Sequence, residues 1–139
     1  MSTLSPAVHL LFPLVAGETR LVIPLEETVL SAALKPASDR SQRLIVFVHG
    51  AASNASRWEE FVDTTALSQR WTLVRFDLRG HGASPARRPG RLENYADDIA
   101  AVIGAAGAHG PIVVVGHSLG AAAALVLARR FLSLIHISE

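Results

Sequence analysis

The alternation of apolar and polar positions along the chain predicts short strands separated by helices. Residues 19–35 predict two strands around a turn at Glu26 and Glu27, since both flanks are mainly apolar. Residues 44–48 are apolar throughout, which is typical of a strand buried on both faces of a parallel sheet. Residues 71–76 predict the next strand, and residues 112–115 predict another buried strand.

Three segments between and after these strands have helical periodicity. Residues 56–69 predict a helix, and Ser56 with Glu59 forms a capping-box pattern at its start. A second apolar stripe follows Asn94, a plausible cap, and residues 119–131 predict an Ala-rich helix. Strands that alternate with helices predict an α/β fold with a mostly parallel sheet flanked by helices.

Neither a signal peptide nor a membrane span is predicted. The apolar stretch at residues 7–16 follows no Lys or Arg and is interrupted by Pro13, so residues 1–18 are interpreted as an irregular leader and the expected location is the cytoplasm. The longest apolar stretch, residues 112–128, is broken by polar and glycine positions and is too short to cross a bilayer.

Composition narrows the classes of function. The chain has 139 residues, of which 50% are hydrophobic, and this is enough for one core. It has no cysteine, which excludes disulfides, thiolate zinc sites and a cysteine nucleophile. The net charge of +1 argues against a nucleic-acid partner, and the arginines at positions 79, 87, 88 and 91 are interpreted as a solvated loop.

The pentapeptide Gly116-His117-Ser118-Leu119-Gly120 carries the candidate chemistry. It lies between a predicted strand and a predicted helix, the setting that a nucleophile elbow requires. A side chain at Gly116 or Gly120 would collide with neighbouring backbone on so tight a turn. Ser118 would then be the nucleophile, and the amide of Leu119 would donate to a developing oxyanion.

Two further motifs complete a resemblance. Val48-His49-Gly50-Ala51 ends one central strand, and Asp77-Leu78-Arg79-Gly80-His81-Gly82-Ala83-Ser84 follows the next. With the elbow, these segments resemble the α/β-hydrolase superfamily, in its serine hydrolase branch.

The resemblance implies a role for each matching position. The backbone amide of Ala51 would be the second oxyanion donor, while His49 and Gly50 would shape the loop. Asp77, Gly80 and Gly82 would hold the neighbouring loop beside the active site. No metal or organic cofactor is implied.

The end of the chain predicts that the domain is incomplete. Residues 132–139 resemble the in-frame translation of a transposase mosaic-end adapter used in sequencing libraries; the alternative is a sixth strand. On the adapter interpretation, residues 19–131 are a partial hydrolase domain, the N-terminal half of the fold, cut after the elbow helix. The strand at residues 112–115 would then be an exposed apolar edge, and the isolated fragment is expected to be poorly soluble or loosely packed.

A serine nucleophile also needs a histidine base oriented by a carboxylate, in the order serine, acid, histidine for this superfamily. After Ser118 the chain offers only His136 and Glu139, in the wrong order and within the suspected adapter. His9 and His109 are far from the motifs, and His117 should point away from the elbow. The catalytic acid and histidine are therefore expected to be absent from this chain.

These observations predict a parent protein that cleaves carboxylic ester, thioester or lactone bonds of a small-molecule acyl substrate through an acyl-enzyme on Ser118. A serine at the elbow argues against the superfamily's epoxide hydrolases and dehalogenases, which place Asp there. The fragment itself is expected to be inactive. The alternatives are an acyltransferase and a non-catalytic binding member of the fold, and the oligomeric state stays open.

Overall fold

Five strands form one sheet in the computed structural model, which describes the backbone of residues 4–137 and the side chains of residues 4–131. The strands are β1 (Thr19–Pro24), β2 (Val29–Lys35), β3 (Leu44–Val48), β4 (Thr72–Phe76) and β5 (Ile112–Gly116). Their order across the sheet is β1-β2-β4-β3-β5. All five lie where the apolar pattern predicts strands.

The sheet is mixed rather than mostly parallel. Strand β3 runs parallel to both β4 and β5, as predicted for its fully apolar sequence. Strands β1 and β2 pair antiparallel with each other, and β2 pairs antiparallel with β4. The short turn between β1 and β2 requires these two strands to be antiparallel, so β2 alone of the five runs opposite to the others.

The helices are α1 (Glu59–Thr64), α2 (Leu92–Ala106) and α3 (Leu119–Ile137). The single helix predicted over residues 56–69 is wrong, because Thr65 has extended backbone (φ −73°, ψ 137°) and divides it. A 3₁₀ turn precedes α1 and another follows Thr65. The capping box predicted at Ser56 is also wrong, since the side chain of Asn54 accepts the Ser56 amide.

The ends of the other helices refine the predictions. Asn94 lies inside the first turn of α2, where its side chain accepts the amide of Arg91 at 2.9 Å. Gly107 ends α2 with a left-handed backbone (φ 67°). Helix α3 continues to Ile137, so the alternative of a sixth strand in the tail is wrong for residues 132–137; residues 138 and 139 lie outside the described part. None of the helices within residues 4–137 is long and apolar enough to span a membrane.

The core lies on both faces of the sheet. Helices α2 and α3 cover one face, where β-strand residues such as Val46, Val74 and Phe76 are fully buried. On the other face Phe47 packs against Trp58, just before α1, with ring centroids 5.2 Å apart. Burying each such side chain stabilises the fold by roughly 1.5–3 kcal/mol. The three motifs thereby sit on a rigid support.

Strand β5 is the exception to the predicted burial. It forms the last strand of the sheet within the described residues, and Ile112 and Val113 are 42% and 41% exposed. This is the apolar edge expected if the sheet is interrupted at this position.

Candidate active site

The three motifs meet at one end of the sheet, where the parallel strands have their carboxyl ends. Because β3, β4 and β5 are parallel, their carboxyl ends lie side by side, and the motif segments are the loops that leave those ends. The loop after β3 carries His49 to Ala51, the loop after β4 carries Asp77 to Gly82, and the turn after β5 carries Ser118.

Ser118 lies on a strained turn between β5 and α3. Its φ is +54°, a left-handed conformation that residues other than glycine rarely adopt. The turn is tied to the sheet, since the amide of His117 donates to the carbonyl of Val48 at 3.0 Å. The amide of Gly120 donates back to the carbonyl of His117 at 2.9 Å. The Ser118 residue is exposed at this end of the sheet.

Both glycines of the pentapeptide are required by close backbone approach. A Cβ atom on Gly116 would lie 2.5 Å from the amide nitrogen of Ala121, and one on Gly120 would lie 2.5 Å from the carbonyl oxygen of Val48. Real Cβ atoms do not approach backbone so closely. The two glycines therefore let α3 begin directly above the end of β3.

The loop after β3 packs against this turn. A Cβ atom on Gly50 would lie 3.3 Å from the Cβ atom of Ser118 and 2.9 Å from Nδ1 of His117. Within residues 4–137, the amides of Ala51 and Leu119 make no hydrogen bond to a protein acceptor. Two unused donors are thus available on either side of the exposed serine.

His49 is buried and both of its ring nitrogens are engaged. Nε2 accepts the amide of Leu78 at 2.9 Å, so Nδ1 carries the proton and donates to the carbonyl of Gly50 at 2.7 Å. The pKa of His49 is lowered from 6.5 to about 4, mainly by burial and in smaller part by the nearby His81, while the hydrogen bond to the Gly50 carbonyl opposes the shift. The ring is therefore neutral and holds the two loops together, in the place where the sequence predicts a loop-shaping residue.

Asp77 joins the loops that follow β3 and β4. One carboxylate oxygen accepts the amide of Ala55 at 2.7 Å and the other accepts the amide of Ala83 at 2.9 Å. Burial raises the pKa of Asp77, while the two amide bonds oppose that rise. Gly82 is needed beside it, since a Cβ atom there would lie 2.3 Å from Asp77 Oδ2.

A buried ion pair fixes the same loop to α2. Arg79 donates to Oδ1 of Asp98 through Nε at 2.9 Å and Nη2 at 2.7 Å, and its backbone amide donates to Oδ2 at 3.0 Å. Burial raises the pKa of Asp98 and the bonds from Arg79 lower it. Gly80 turns the chain next, with φ +75° and an amide that donates to the carbonyl of Ser84.

Sequence reasoning missed a second buried arginine, Arg75, in the middle of β4. Its guanidinium pairs with Glu18 and donates to the carbonyl of Ala55. A charged residue inside the otherwise apolar run 73–76 is the signal that could have revealed it. Sequence reasoning also missed the pairing of Asp98 with Arg79.

The remaining histidines do not face the serine as a base. The ring of His117 lies over Gly50. His81 packs on His49 with ring centroids 5.0 Å apart and contacts the carbonyl of Arg79. His109 precedes β5 and so lies at the other end of the sheet, beside the amino end of that strand. His9 lies in the N-terminal segment. The side chain of His136 is outside the described residues.

A strained serine between two glycines thus lies at the carboxyl ends of the parallel strands. The model of the alpha/beta hydrolase family matches residues 45–137, which include all three motifs. The chain belongs to the alpha/beta hydrolase family. The resemblance to the α/β-hydrolase superfamily and the predicted α/β-hydrolase fold are confirmed.

The curated relatives that the chain matches include hydrolases. The chain is 40% identical over 93 residues to 2-(acetamidomethylene)succinate hydrolase of Mesorhizobium japonicum, covering 66% of this chain and 32% of that protein. It is 35% identical over 86 residues to a pimeloyl-[acyl-carrier protein] methyl ester esterase of Neisseria meningitidis, covering 62% of this chain and 31% of the esterase. This alpha/beta hydrolase chain thus spans about a third of the length of the curated relatives that it matches.

A solved structure agrees with the first of these likenesses. The crystal structure of E-2-(acetamidomethylene)succinate hydrolase superposes with a TM-score of 0.69 and 32% identity. The superposition covers 82% of this chain and 40% of that one. The described residues therefore have the architecture of an alpha/beta hydrolase over part of its length.

Proposed function

We propose that this chain carries the nucleophile and the oxyanion-binding amides of a serine hydrolase that cleaves acyl bonds. The observation that carries the proposal is the left-handed backbone of Ser118 between Gly116 and Gly120. Backbone strain of this kind persists only where the surrounding structure enforces it, and it is typical of functional sites. It raises the hydroxyl out of the sheet, where a substrate can reach it.

The oxyanion would be held by the amides of Ala51 and Leu119. Among the described residues both lack a protein acceptor, and the close approach of Gly50 to Ser118 brings their loops together. Two preorganised amides aimed at a developing negative charge are the usual means of stabilising a tetrahedral intermediate. Leu119 is also the first residue of α3, so the positive end of the helix dipole adds to this stabilisation.

The reaction would proceed in two stages. Ser118 Oγ attacks the carbonyl carbon while a base takes its proton, and the oxyanion forms between the two amides. The intermediate then collapses and expels the leaving group, which takes up the proton from the protonated base. Water, deprotonated by the same base, then attacks the resulting serine ester, and the base returns this proton to Ser118 Oγ as the acid leaves.

The base and its orienting acid would come from outside this chain. His49 cannot serve, because one nitrogen accepts the Leu78 amide and its pKa is held at about 4. We propose that an acid and then a histidine follow residue 131 in the intact enzyme, by which we mean the protein that continues this sequence. The 139-residue chain alone is then expected to be inactive.

The proposed substrates are carboxylic esters, thioesters and lactones. One relative is named for a methyl ester, which supports this class. Epoxide hydrolysis is disfavoured on chemical grounds: attack by a serine hydroxyl on an epoxide carbon would give an ether, which has no carbonyl for water to attack. A carboxylate nucleophile instead gives an ester that water can cleave.

The first experiment is a long sequencing read of the source DNA across the codon for Phe131. A frame that continues for a hundred or more codons, with an acid and then a histidine, supports the proposal. Hydrolysis of short aryl esters is then measured for the intact enzyme and for Ser118→Ala, with Ser38→Ala, an exposed loop serine at the other end of the sheet, as a control for serine removal. DNA that encodes residues 132–139 and then stops overturns the intact-enzyme proposal.

Two other functions remain as outcomes of this test. An acyltransferase would form the same acyl-enzyme but pass the acyl group to an acceptor other than water, so product analysis with added alcohols separates it from a hydrolase. A non-catalytic binding protein would show no hydrolysis and no loss upon Ser118→Ala.

A further inference from the structure

The N-terminal segment, residues 4–18, contacts the sheet through a buried arginine, Arg75. The Arg75 and Glu18 side chains are fully buried, and the guanidinium forms two parallel bonds to the carboxylate, Nε to Oε2 at 2.8 Å and Nη2 to Oε1 at 2.7 Å. Nη2 also donates to the carbonyl of Pro13 at 2.9 Å, and the guanidinium lies 4.6 Å from the ring centroid of Phe12. Residues 12–18 therefore close over Arg75 from one side.

The remaining guanidinium nitrogen reaches the opposite way, toward the proposed oxyanion loop. Nη1 of Arg75 donates to the carbonyl of Ala55 at 3.1 Å, while Asp77 accepts the amide of the same alanine at 2.7 Å. Both polar groups of Ala55, which is fully buried, are thus held by side chains from the end of β4. Ala55 is the residue at which the loop 49–54 ends.

This loop needs an anchor at both ends. Ala52, next to the proposed donor Ala51, has a φ of +56°, a conformation that costs about 1 kcal/mol or more for a residue with a side chain. His49 fixes the first end through the Leu78 amide and the Gly50 carbonyl. At the second end, the bonds from Arg75 and Asp77 to Ala55 oppose relaxation of the strained backbone.

We propose that Arg75 is a positioning residue, through which the N-terminal segment at Glu18 sets the place of the Ala51 amide in the oxyanion site. The proposal rests on the serine hydrolase function proposed above. The N-terminal segment then helps to position the oxyanion site, although it lies outside the three sequence motifs. Its amide contact from Ala7 to the carbonyl of Ala83 ties the neighbouring motif loop to the same segment.

The test must separate positioning from simple stability. Removing only one partner would leave a buried unpaired charge and could unfold the protein, whereas replacing both partners of a buried ion pair by apolar residues of similar volume is often neutral for stability. The main variant is therefore Arg75→Met with Glu18→Met in the intact enzyme. A second variant, Arg75→Lys, keeps a positive charge for Glu18 but lacks the planar fork that also reaches Ala55.

Two properties are measured for each folded variant. Hydrogen exchange of peptides covering residues 49–55 is expected to increase tenfold or more, while exchange of β3 stays as in the wild type. On a short aryl ester, kcat is expected to fall about tenfold or more with KM within twofold, because a displaced donor affects the transition state rather than substrate binding. Arg20→Met is the control. Arg20 binds the same N-terminal segment through the carbonyl of Phe12 but does not contact Ala55, so both properties should stay unchanged.

The proposal is overturned if hydrogen exchange at residues 49–55 in the main variant or in Arg75→Lys is the same as in the wild type. It is also overturned if Arg20→Met loses as much kcat as the main variant. If Ser118→Ala keeps full activity, the hydrolase function fails instead; the exchange data then still decide whether Arg75 positions the loop. Raised exchange with unchanged kcat in an enzyme that needs Ser118 overturns the link to the oxyanion site.

Discussion

A methyl group on Gly120 would lie 2.5 Å from the carbonyl oxygen of Val48, so the first turn of α3 rests directly on the last residue of β3. This contact joins the Ser118 turn to the end of β3, from which the loop that carries the proposed oxyanion donor begins.

Gly120→Ala is therefore expected to destabilise the intact enzyme by about 2 kcal/mol or more, because overpacked backbone has to move apart. Urea unfolding measures the loss. The matched control is Gly104→Ala: Gly104 lies in the interior of α2 with nothing within 4 Å of an added Cβ atom, so alanine there should stabilise the enzyme by about 0.5–1 kcal/mol. Equal effects at the two sites would contradict the close-packing argument.

The strain at Ser118 leads to a second prediction, in which stability and activity change in opposite directions. Ser118→Gly removes the cost of a left-handed side-chain residue and is expected to raise the free energy of unfolding by up to about 1 kcal/mol while abolishing ester hydrolysis. Thermal unfolding and an aryl ester assay measure the two effects. Arg40→Gly, at an exposed loop position with φ +59°, should stabilise similarly and leave activity intact.

The buried neutral His49 predicts a pH dependence. Its folded-state pKa of about 4 is below its ordinary value of 6.5, so the unfolded chain binds a proton at higher pH than the folded one. The free energy of unfolding should consequently fall by about 3 kcal/mol as the pH is lowered from 6.5 to 4, with no further loss from this group below that.

Urea titrations of the intact enzyme across this range test the prediction through the slope of stability against pH. His49→Asn should flatten the slope, although it also lowers stability at every pH. Replacing the exposed His9 in the same way should leave the slope unchanged. A wild-type slope in the His49 variant would assign the acid sensitivity to other groups.

Asp97 and Asp98 are neighbours on α2, and together they test how burial changes the cost of breaking an ion pair. Asp98 is fully buried against Arg79, so Asp98→Ala leaves an unpaired buried charge and is expected to cost roughly 3–5 kcal/mol. Asp97 forms an exposed pair with Arg130, and Asp97→Ala should cost less than about 1 kcal/mol. Chemical denaturation compares the two, and similar costs would show that the Arg79 pair contributes little.

The exposed β5 edge predicts that the isolated 139-residue chain associates. Beside this strand, α2 and α3 leave an apolar groove of about 520 Å³, lined among others by Ile103, Ile112, Leu125 and Phe131. Val113→Lys places a charge on the edge strand and should reduce association measured by analytical ultracentrifugation. Leu67→Lys, at an exposed apolar position that does not line this groove, is the control and should reduce it less. A monodisperse, cooperatively melting wild-type chain would contradict the prediction.

Much of the fold follows from local sequence. Strand β3 is recognisable because burial on two faces demands continuous apolar residues, and Gly116 and Gly120 mark the elbow because only glycine fits there. The break of the first helix at Thr65 could not be predicted in the same way, because the extended backbone there depends on how the segment packs.

The sequence by itself determined the chemistry that is available: a serine on a glycine-flanked turn and two loop amides at the ends of neighbouring strands. Only the tertiary structure decided that His49 is locked as a neutral link between loops, because its two partners, Leu78 and Gly50, belong to different segments. It also decided that Glu18 reaches Arg75, 57 positions further along the chain. Such contacts depend on how the chain returns to itself, and no local pattern encodes the distance between residues so far apart in sequence.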